Sequence, residues 1–428
     1  MSQQPNSYQI KLEQFEGPFD LLLFFIERDE LDIYNIPITR ITKDFLDHIH
    51  QTEKLNIELS SEFILFVSTL MRIKAKMLLP RKELDAQGNE IDPRMELVDK
   101  ILEYKKFKEA SAKLAELAGC STDELIITRN TTESLDMIIG GLDWKPGDEA
   151  IMAYQDYGAM LDMFAQVSRR HGVVCKKISV PAHPKTDEEI VSVYENAITP
   201  KTKLLMVCHM INITGQILPV KKICDMAHKH GVQVMVDGAH AFAHIQYRID
   251  ELGCDYYGCS LHKWLSAPLG CGLLYIKSTH IPNIWPLFAE EGKDKTDVLR
   301  LNHTGTHPPA TDLAIADAID YYHNMGAARK ENRLRYLQQY WTQQVRDLPK
   351  IVLNTPAQPE RACAIANVGI KGMTPAQLAA ALMDRYKIYT VAIDNAAAGV
   401  QGVRVTPNVY TLTEDLDKLV AALKELSA

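Results

Sequence analysis

The sequence predicts an α/β protein with a mostly parallel sheet covered by helices on both faces, preceded by an all-α segment. From about residue 118 onward, short apolar strand-like runs alternate with amphipathic helical ones, which is typical of such a sheet. Helical patterns dominate residues 1–117, interrupted by the polar loop RKELDAQGNEIDP. A chain of 428 residues is long enough for two or three hydrophobic cores.

Proline marks the start of the first two predicted helices. Pro18 opens GPFDLLLFFIERDEL and Pro37 opens IPITRITKDFLDHIH, in the first turn that proline favours. A third helix is ended by Pro80, and a fourth runs from about Pro93 through LVDKILEYKKFKEASAKLAELAG. The second helix has an apolar stripe made of Ile38, Ile41, Phe45 and Ile49. The stripe of the third helix is Phe63, Phe66, Val67, Leu70, Ile73 and Met77.

The third helix carries more apolar residues than one stripe can bury. Ile64, Leu65, Met71 and Leu78 lie off that stripe. So few helices cannot hide all of these side chains, and excess apolar surface indicates a partner or a larger core.

Seven strand-like runs follow: ELIIT, DEAIMAY, VVCKKISV, KLLMVCHM, VQVMV, YYGCS and GLLYI. After about Asp312 come two long helices, ATDLAIADAIDYYHNMG and RKENRLRYLQQYWTQQVRDL, and then a smaller α/β unit ending in TEDLDKLVAALKELS. Ligands of such sheets bind at the carboxyl ends of the strands, where Asp237 and Asn212 fall.

Lys263 and Asp237 are the most informative pair in the chain. Lys263 lies among Leu261, Trp264 and Leu265, where an ammonium is costly to desolvate unless its pKa falls or a chemical reaction consumes it. Condensation with an aldehyde would consume it, and a carboxylate ending a buried strand would keep a pyridine nitrogen protonated. The pair therefore indicates pyridoxal phosphate. For either residue alone, a surface lysine or an Asp-Gly turn is the alternative.

The same residues carry a family resemblance. VDGAHAFAH followed by YGCSLHKW resembles the class V family of pyridoxal-phosphate enzymes, in particular its isopenicillin N epimerase-like and cysteine desulfurase-like members. The resemblance covers about residues 114–428. It implies the type I pyridoxal-phosphate transferase fold, with a large cofactor-binding domain at 114–312 and helices with a small C-terminal domain at 313–428.

The resemblance also implies roles for individual residues. Lys263 would form the Schiff base and act as acid and base at the substrate's alpha carbon, and Asp237 would be the electron-sink partner. Arg404, in GVRVTPNVYTLTEDLD, would grip the substrate carboxylate, which suits its two parallel donors. The other implied cofactor contacts are Thr131, Thr132, Tyr157, Asn212, His240, Ser260, His262 and Thr306. Thr306 would come from the neighbouring subunit, so a homodimer is expected.

The residues support some of these roles independently. Asn130 and Glu133 form an N-cap and capping-box pattern, so free N–H groups at that turn can receive an anion, although a capped helix without a ligand has the same pattern. Without the resemblance, Tyr157 would equally be a packing tyrosine, Asn212 a turn residue and Arg404 half of an exposed ion pair.

Metal and cysteine chemistry are disfavoured. His240 and His244 have HxxxH spacing, but the glutamate of HExxH is absent, so we expect no metal. AIDNAAAGVQGVR, where related desulfurases carry a reactive cysteine, contains none. The eight cysteines form no CxxC pair, which fits a reducing compartment.

The N-terminal segment resembles a different family. FEGPFDLLLFFIERDELDIYNIPITRITKDFL, followed by RIKAKMLLP and DPRMELVDKILEYKKFKEA, resembles the N-terminal region of segregation and condensation protein A, the bacterial kleisin, over about residues 8–112. The family role would be to bind the neck of the structural maintenance of chromosomes ATPase and segregation and condensation protein B. The kleisin's C-terminal winged helix and the enzyme family's usual N-terminal arm are not found. The join lies within KFKEASAKLAELAG, not in a flexible linker, so residues 1–113 and the rest look like a chimera of two truncated genes.

Charge and hydropathy limit the remaining possibilities. The net charge of −8 provides no electrostatic footprint for nucleic acid. LLLFF is too short to span a membrane and MSQQPNSYQIKLEQ lacks signal-peptide character, so we expect a cytoplasmic chain.

The sequence therefore predicts a pyridoxal-phosphate enzyme acting on an amino acid by epimerase, lyase or transaminase chemistry, fused to a kleisin-like segment. The alternative is a non-catalytic interaction protein that binds the chromosome ATPase through its N-terminal helices and carries an inactive enzyme.

Overall fold

The computed structural model describes residues 15, 17–51, 57–80, 84–85, 87–288, 293–303, 305 and 308–428, without the side chains of residues 49–51 and 57–62. The chain forms two compact units, residues 1–109 and residues 110–428. The predicted boundary at 113 and the division at 109 lie in the same helix.

The first unit is helical, as predicted. Its helices are α1 (Pro18–Arg28), α2 (Ile38–Gln51), α3 (Ile57–Leu78) and α4 (Met95–Ala118), the last of which continues into the second unit. Leu21 and Leu22 of α1, Phe45 of α2, Leu70 of α3 and Val98 of α4 are fully buried in one core. The stripe of α2 is confirmed for its described side chains, while that of Ile49 lies outside the described residues.

The stripe of α3 packs inside its own unit. Phe63, Phe66, Val67, Leu70 and Ile73 are buried in the core of the first unit. The assignment of Met77 to the stripe is wrong, because this side chain is 46% exposed near the end of the helix. The four residues predicted to lie off the stripe are all more than half exposed: Ile64, Leu65, Met71 and Leu78. The free apolar surface of α3 is therefore the face opposite the stripe.

The second unit contains a seven-stranded sheet in which each predicted strand is present. The strands are β1 (Leu125–Thr128), β2 (Glu149–Ala153), β3 (Val174–Ile178), β4 (Thr202–Cys208), β5 (Gln233–Asp237), β6 (Tyr256–Ser260) and β7 (Gly272–Ile276). Their order is β1-β7-β6-β5-β4-β2-β3. The pairings from β3 through β6 are parallel, whereas β7 is antiparallel to both of its neighbours.

Helices connect these strands and continue beyond them. They are α5 (Thr131–Gly141), α6 (Gly158–His171), α7 (Asp187–Glu195), α8 (Val220–Lys229), α9 (Ile249–Leu252), α10 (Ala310–Met325) and α11 (Ala327–Val345). The β-strands that read as continuous apolar runs are buried along their whole length, as expected of strands covered on both sides.

A second, smaller sheet completes this unit. It contains β8 (Ile351–Leu353), β9 (Ala366–Ile370), β10 (Val391–Asn395) and β11 (Val400–Val405) in the antiparallel order β10-β11-β9-β8. Helices α12 (Pro375–Tyr386) and α13 (Thr413–Leu426) accompany it. The predicted α/β architecture with a small C-terminal unit is confirmed. Within the described part of the chain, none of the helices combines the length and the apolar character that crossing a membrane requires.

Candidate active site

The candidate site lies at the carboxyl ends of β4, β5 and β6. In the parallel register, Cys208 at the end of β4 pairs with Asp237 at the end of β5, and Asp237 pairs with Gly258 of β6. Asn212 follows β4 in the chain and Lys263 follows β6. Neighbouring parallel strands end at the same edge of the sheet, so the polar side chains that follow them are brought together there.

Asp237 is buried and held in a fixed orientation. Its Oδ1 accepts a hydrogen bond from the backbone N–H of Ala239 at 2.9 Å. Burial raises its pKa, while that N–H group and the charge of Lys263 oppose the rise. A Cβ at Gly238 would overlap the phenol of Tyr257, which explains why glycine follows the carboxylate. The contact with Tyr257 therefore requires glycine at position 238.

Lys263 is partly buried among apolar neighbours. Burial lowers the pKa of its ammonium, and the charge of Asp237 is the largest influence in the opposite direction. Two residues of the same loop, Trp264 and Leu265, are buried. Ser266 has φ of 66°, a left-handed conformation that costs a non-glycine residue about 1 kcal/mol or more. The loop is therefore held in a strained shape around a lysine with a weakened proton affinity.

The N-terminus of α5 meets the end of β6. The backbone N–H of Thr131 donates to Oγ of Ser260 at 2.9 Å, and the hydroxyls of the two residues are 2.7 Å apart. Thr132 is half-buried beside them. A Cβ at Gly272 would lie 2.8 Å from Cα of Asn130, so glycine in β7 permits this close approach.

The predicted capping box of α5 is only half confirmed. The side chain of Asn130 accepts a hydrogen bond from the backbone N–H of Glu133 at 3.0 Å, as an N-cap does. The reciprocal bond is absent among the described contacts, because Glu133 accepts from the backbone N–H of Arg129 at 2.6 Å and from its guanidinium. The side chain of Glu133 therefore binds Arg129 and not the backbone N–H of Asn130, which a capping box would require.

Arg404 reaches the site from the smaller sheet. Its Nη1 donates to the backbone oxygen of Asn212 at 3.3 Å, although 192 residues separate the two. Burial lowers the pKa of the guanidinium, and no described carboxylate pairs with it. The alternative of an exposed ion pair is therefore wrong for Arg404.

His240 and His244 follow Asp237 and are both desolvated. Burial, reinforced by the charges of Lys263 and Arg404, holds the pKa of His240 well below its ordinary value. Burial also lowers the pKa of His244 to about 3. Within the described ranges no group of three or more His, Cys, Asp or Glu side chains could hold a metal ion.

For two predicted residues the described contacts show no link to the site. Tyr157 precedes the first residue of α6 and is half-exposed, so its ring has open space on one side. Thr306 lies outside the described residues. Their roles toward a cofactor stay predictions.

Sequence reasoning missed three buried groups at this edge of the sheet. Asp156, after β2, accepts from the backbone N–H of Ala153 at 2.7 Å, and burial raises its pKa to about 8, with the charge of Asp237 acting in the same direction. Burial lowers the pKa of His209 to about 4, and it raises that of the Cys208 thiol well above the ordinary value. The apolar run KLLMVCHM could have indicated the burial of the last two.

Unpaired polar atoms show what this site can accommodate. Buried atoms without a hydrogen-bond partner in the described structure include Oδ1 of Asn212, Nδ1 of His262, Nδ1 of His209, Oδ1 of Asp156 and Nε of Arg404. Such orphans are rare in proteins, and a polar ligand that pairs with some of them would explain the set. Among them, Nε of Arg404 is an N–H donor that suits a carboxylate, and a protonated nitrogen of His262 could donate to a phosphate.

The fold and this site define a class V pyridoxal-phosphate enzyme. The profile of the family Aminotransferase class-V matches residues 98–419, and the chain belongs to this family. Membership confirms the predicted enzyme class and the predicted pyridoxal phosphate cofactor, for which the residues around Lys263 and Asp237 provide a fitting site.

Individual relatives are consistent with this assignment. The chain is 28% identical to isopenicillin N epimerase of Streptomyces clavuligerus over 336 residues, which are 74% of this chain and 84% of that protein. The fold is similar to the apo structure of the cysteine desulfurase from Thermococcus onnurineus NA1, with a TM-score of 0.69 and 22% identity, covering 84% of this chain and 91% of the other.

The N-terminal segment has a different relative. It is 47% identical to segregation and condensation protein A of Bacillus cytotoxicus over 113 residues, which are 26% of this chain. The match spans 46% of the length of that relative. The two resemblances predicted from the sequence are both confirmed.

Proposed function

We propose that residues 110–428 use pyridoxal phosphate to act on an amino acid or an amino-acid-like amine. The observation that carries the proposal is the pairing of the buried Asp237, at the end of β5, with the partly buried Lys263, in the loop after β6; the charge of each opposes the pKa shift that burial causes in the other. The cofactor, when bound, supplies an electron sink for negative charge at the substrate's alpha carbon.

Different residues of the chain would bind the cofactor, bind the substrate and transfer the proton. Asp237 supplies a buried negative charge for the pyridine nitrogen. Lys263 would form the covalent link, and burial lowers the pKa of its ammonium, which favours its taking and returning a proton. Arg404 presents free donors in a desolvated position, where a bidentate carboxylate contact is strongest. Thr131, Thr132, Ser260 and His262 would surround the phosphate at the N-terminus of α5.

The burial of the thiols argues against a reaction that proceeds through a cysteine nucleophile. Six of the eight cysteines are buried, and Cys120 and Cys175 are partly buried. Burial raises the pKa of both partly buried thiols, that of Cys120 to about 12. A reactive cysteine needs a lowered pKa and access to its substrate. We therefore favour proton transfer at the alpha carbon, as in epimerisation, transamination or elimination, over sulfur transfer to a cysteine.

The colour of the purified full-length protein tests the proposal. We expect pyridoxal phosphate to turn it yellow and borohydride to fix the cofactor covalently on Lys263. Lys263→Arg should remove the borohydride adduct while keeping the charge, and Lys229→Arg, at an exposed position, should leave it unchanged. A protein that stays colourless with added cofactor contradicts the enzymatic proposal.

Alpha-proton exchange tests the reaction class. A loaded protein incubated with amino acids in D₂O should lose the NMR signal of the alpha proton, and this loss should require Lys263. If turnover of a sulfur amino acid instead stops on thiol alkylation while no alpha proton exchanges, sulfur transfer is the correct class.

We also propose that the competent unit is a homodimer, because the family resemblance places Thr306 in the neighbouring subunit's phosphate site. Mixing Lys263→Ala chains with Thr306→Ala chains should then restore one intact site in each mixed dimer. A mixture with no more cofactor affinity than its parents counts against a shared site.

A second candidate function belongs to the first unit. We propose that residues 15–109 bind a coiled coil of the structural maintenance of chromosomes type, with segregation and condensation protein B as a further partner, and that this binding is separate from the enzyme. The similarity to segregation and condensation protein A supports it. So does the row of exposed apolar side chains on α3 that includes Leu65, which is 70% exposed.

Two aspartate substitutions separate binding from folding. Leu65→Asp in the full chain should abolish binding to the neck fragment of the ATPase and leave thermal stability unchanged. Leu412→Asp, at an exposed position of the second unit, is the matched control. Unchanged binding by Leu65→Asp would show that this face of α3 is not the contact surface.

A further inference from the structure

Trp264, the residue after Lys263, contacts His240 through its only polar atom. The indole Nε1 donates a hydrogen bond to Nδ1 of His240 at 3.3 Å. An indole N–H can only donate, so Nδ1 of His240 must be the accepting nitrogen and carries no proton. Because burial and nearby positive charges keep His240 neutral, with its pKa well below the ordinary value, its single proton lies on Nε2.

His244 holds Trp264 from the other side. Its ring stacks on the indole with centroids 3.7 Å apart and an interplanar angle of 25°. The tautomer of His244 is fixed as well, because Nε2 accepts from the backbone N–H of Ala364 at 3.0 Å and Nδ1 donates to the backbone oxygen of His240 at 2.8 Å. Both ring nitrogens of His244 are therefore occupied, and His244 cannot replace His240 as the acceptor for the indole N–H.

Lys330 fixes the main chain of the same residue. This lysine is buried in α11, and its Nζ donates to the backbone oxygen of Trp264. The indole is thus held by its carbonyl, by its ring face and by its N–H group. None of these three contacts involves a ligand, so the orientation exists before any cofactor arrives.

We propose that Trp264 is a positioning residue that sets the tautomer of His240, so that Nε2–H is available as a donor to the cofactor's phenolic oxygen. The inference rests on the proposed function, since the resemblance places His240 beside that oxygen. A histidine with its proton on Nδ1 would direct a lone pair at an oxygen that carries negative charge. The indole N–H excludes that tautomer by occupying Nδ1.

Nitrogen NMR of the full chain without added cofactor tests the tautomer directly. Two-bond ¹⁵N–¹H correlations distinguish the two neutral forms, and the signals of His240 are those lost in His240→Gln. We expect the Nε2–H form in the wild type and a substantial Nδ1–H population in Trp264→Phe. A wild-type His240 with its proton on Nδ1 overturns the inference, whether or not Trp264→Phe folds.

Trp341→Phe is the matched control, because Trp341 is also buried and its Nε1 has no described hydrogen-bond partner. The same substitution there should leave the tautomer of His240 unchanged. An equal change in both variants would mean that packing, and not the indole N–H, sets the tautomer, which also overturns the inference.

The colour of the loaded protein provides a second readout. A donor to the phenolic oxygen favours the form that has lost the proton of the linking nitrogen, so Trp264→Phe should raise the pH midpoint of the visible spectral change by about one unit, about tenfold in proton affinity. In a His240→Gln background the amide donates without help from Trp264, and the same substitution should cause no shift. Equal shifts in both backgrounds would refute the proposed role.

Failure of this inference can be distinguished from failure of the proposed function. A chain that takes up no cofactor contradicts the proposed function, while the NMR result still decides the tautomer. A yellow protein whose His240 is unaffected by Trp264→Phe leaves the enzyme proposal intact and rejects the role of Trp264.

Discussion

Replacing Asp156 by asparagine removes a buried acid from the edge of the candidate site. Burial raises the pKa of Asp156 to about 8 from the 3.8 of an unperturbed aspartate. Between these values the folded protein holds a proton that the unfolded chain has released. Stability therefore falls as pH rises through this window, with a slope of about 1.4 kcal/mol per pH unit for one proton.

The side-chain amide of the Asp156→Asn variant has no such dependence, and its oxygen keeps an acceptor for the N–H group of Ala153. We expect this variant to gain about 2.7 kcal/mol of stability relative to the wild type when pH is raised from 5 to 7. At pH 7 the folded wild type must hold a proton that the unfolded chain has released, a cost that the amide does not bear, so the variant should be the more stable one at that pH.

Urea unfolding followed by tryptophan fluorescence measures this difference. The four tryptophans of the chain, at positions 144, 264, 285 and 341, all lie in residues 110–428, so the signal reports the unit that contains Asp156. Asp162→Asn, at an exposed position of α6, is the control. A pH dependence of Asp156→Asn parallel to that of the wild type would refute the assignment of a raised pKa to this group.

The packing and the charges support three further predictions. Leu70→Ala should destabilise the helical unit by about 2–5 kcal/mol in circular dichroism melts, because the residue is fully buried, while Leu65→Ala should change stability by less than about 0.5 kcal/mol. Gly238→Ala should lose cofactor uptake, measured by visible absorption, because the new Cβ overlaps both the hydroxyl and the ring of Tyr257. Arg404→Lys should raise KM for the amino acid about tenfold or more in steady-state assays, because lysine cannot make two parallel bonds.

The order of elements could be predicted from the sequence. Each of the seven strands of the large sheet is present where an apolar run predicts it, and the helices begin near the prolines that predict their starts. These signals are local, because backbone hydrogen bonding and side-chain periodicity act over a few residues. The end of the third helix's stripe was the exception. Met77 fits the period but lies beyond the core that the helix covers.

The pair of Asp237 and Lys263 was also evident from the sequence. Asp237 ends one apolar strand and Lys263 follows another, and parallel strands that are neighbours bring their carboxyl ends together. The chemistry of a lysine among apolar residues then restricts the cofactor class. The family resemblance supplied the remaining candidate residues, one motif at a time.

The tertiary structure alone decided how these residues are paired. The bond from Arg404 to Asn212 spans 192 residues, and that from Lys330 to Trp264 spans 66. The proximity of Asp156 to Asp237 likewise depends on the order of strands in the sheet, which the sequence pattern does not specify.

Proton positions and pKa values depend on those pairings. The sequence shows that His240 and Trp264 are present, but the tautomer of the histidine follows only from which nitrogen the indole meets. Periodicity in the sequence determines which face of a helix or strand is apolar. The pKa of a buried group instead depends on the few atoms packed around it, and distant parts of the chain contribute those atoms.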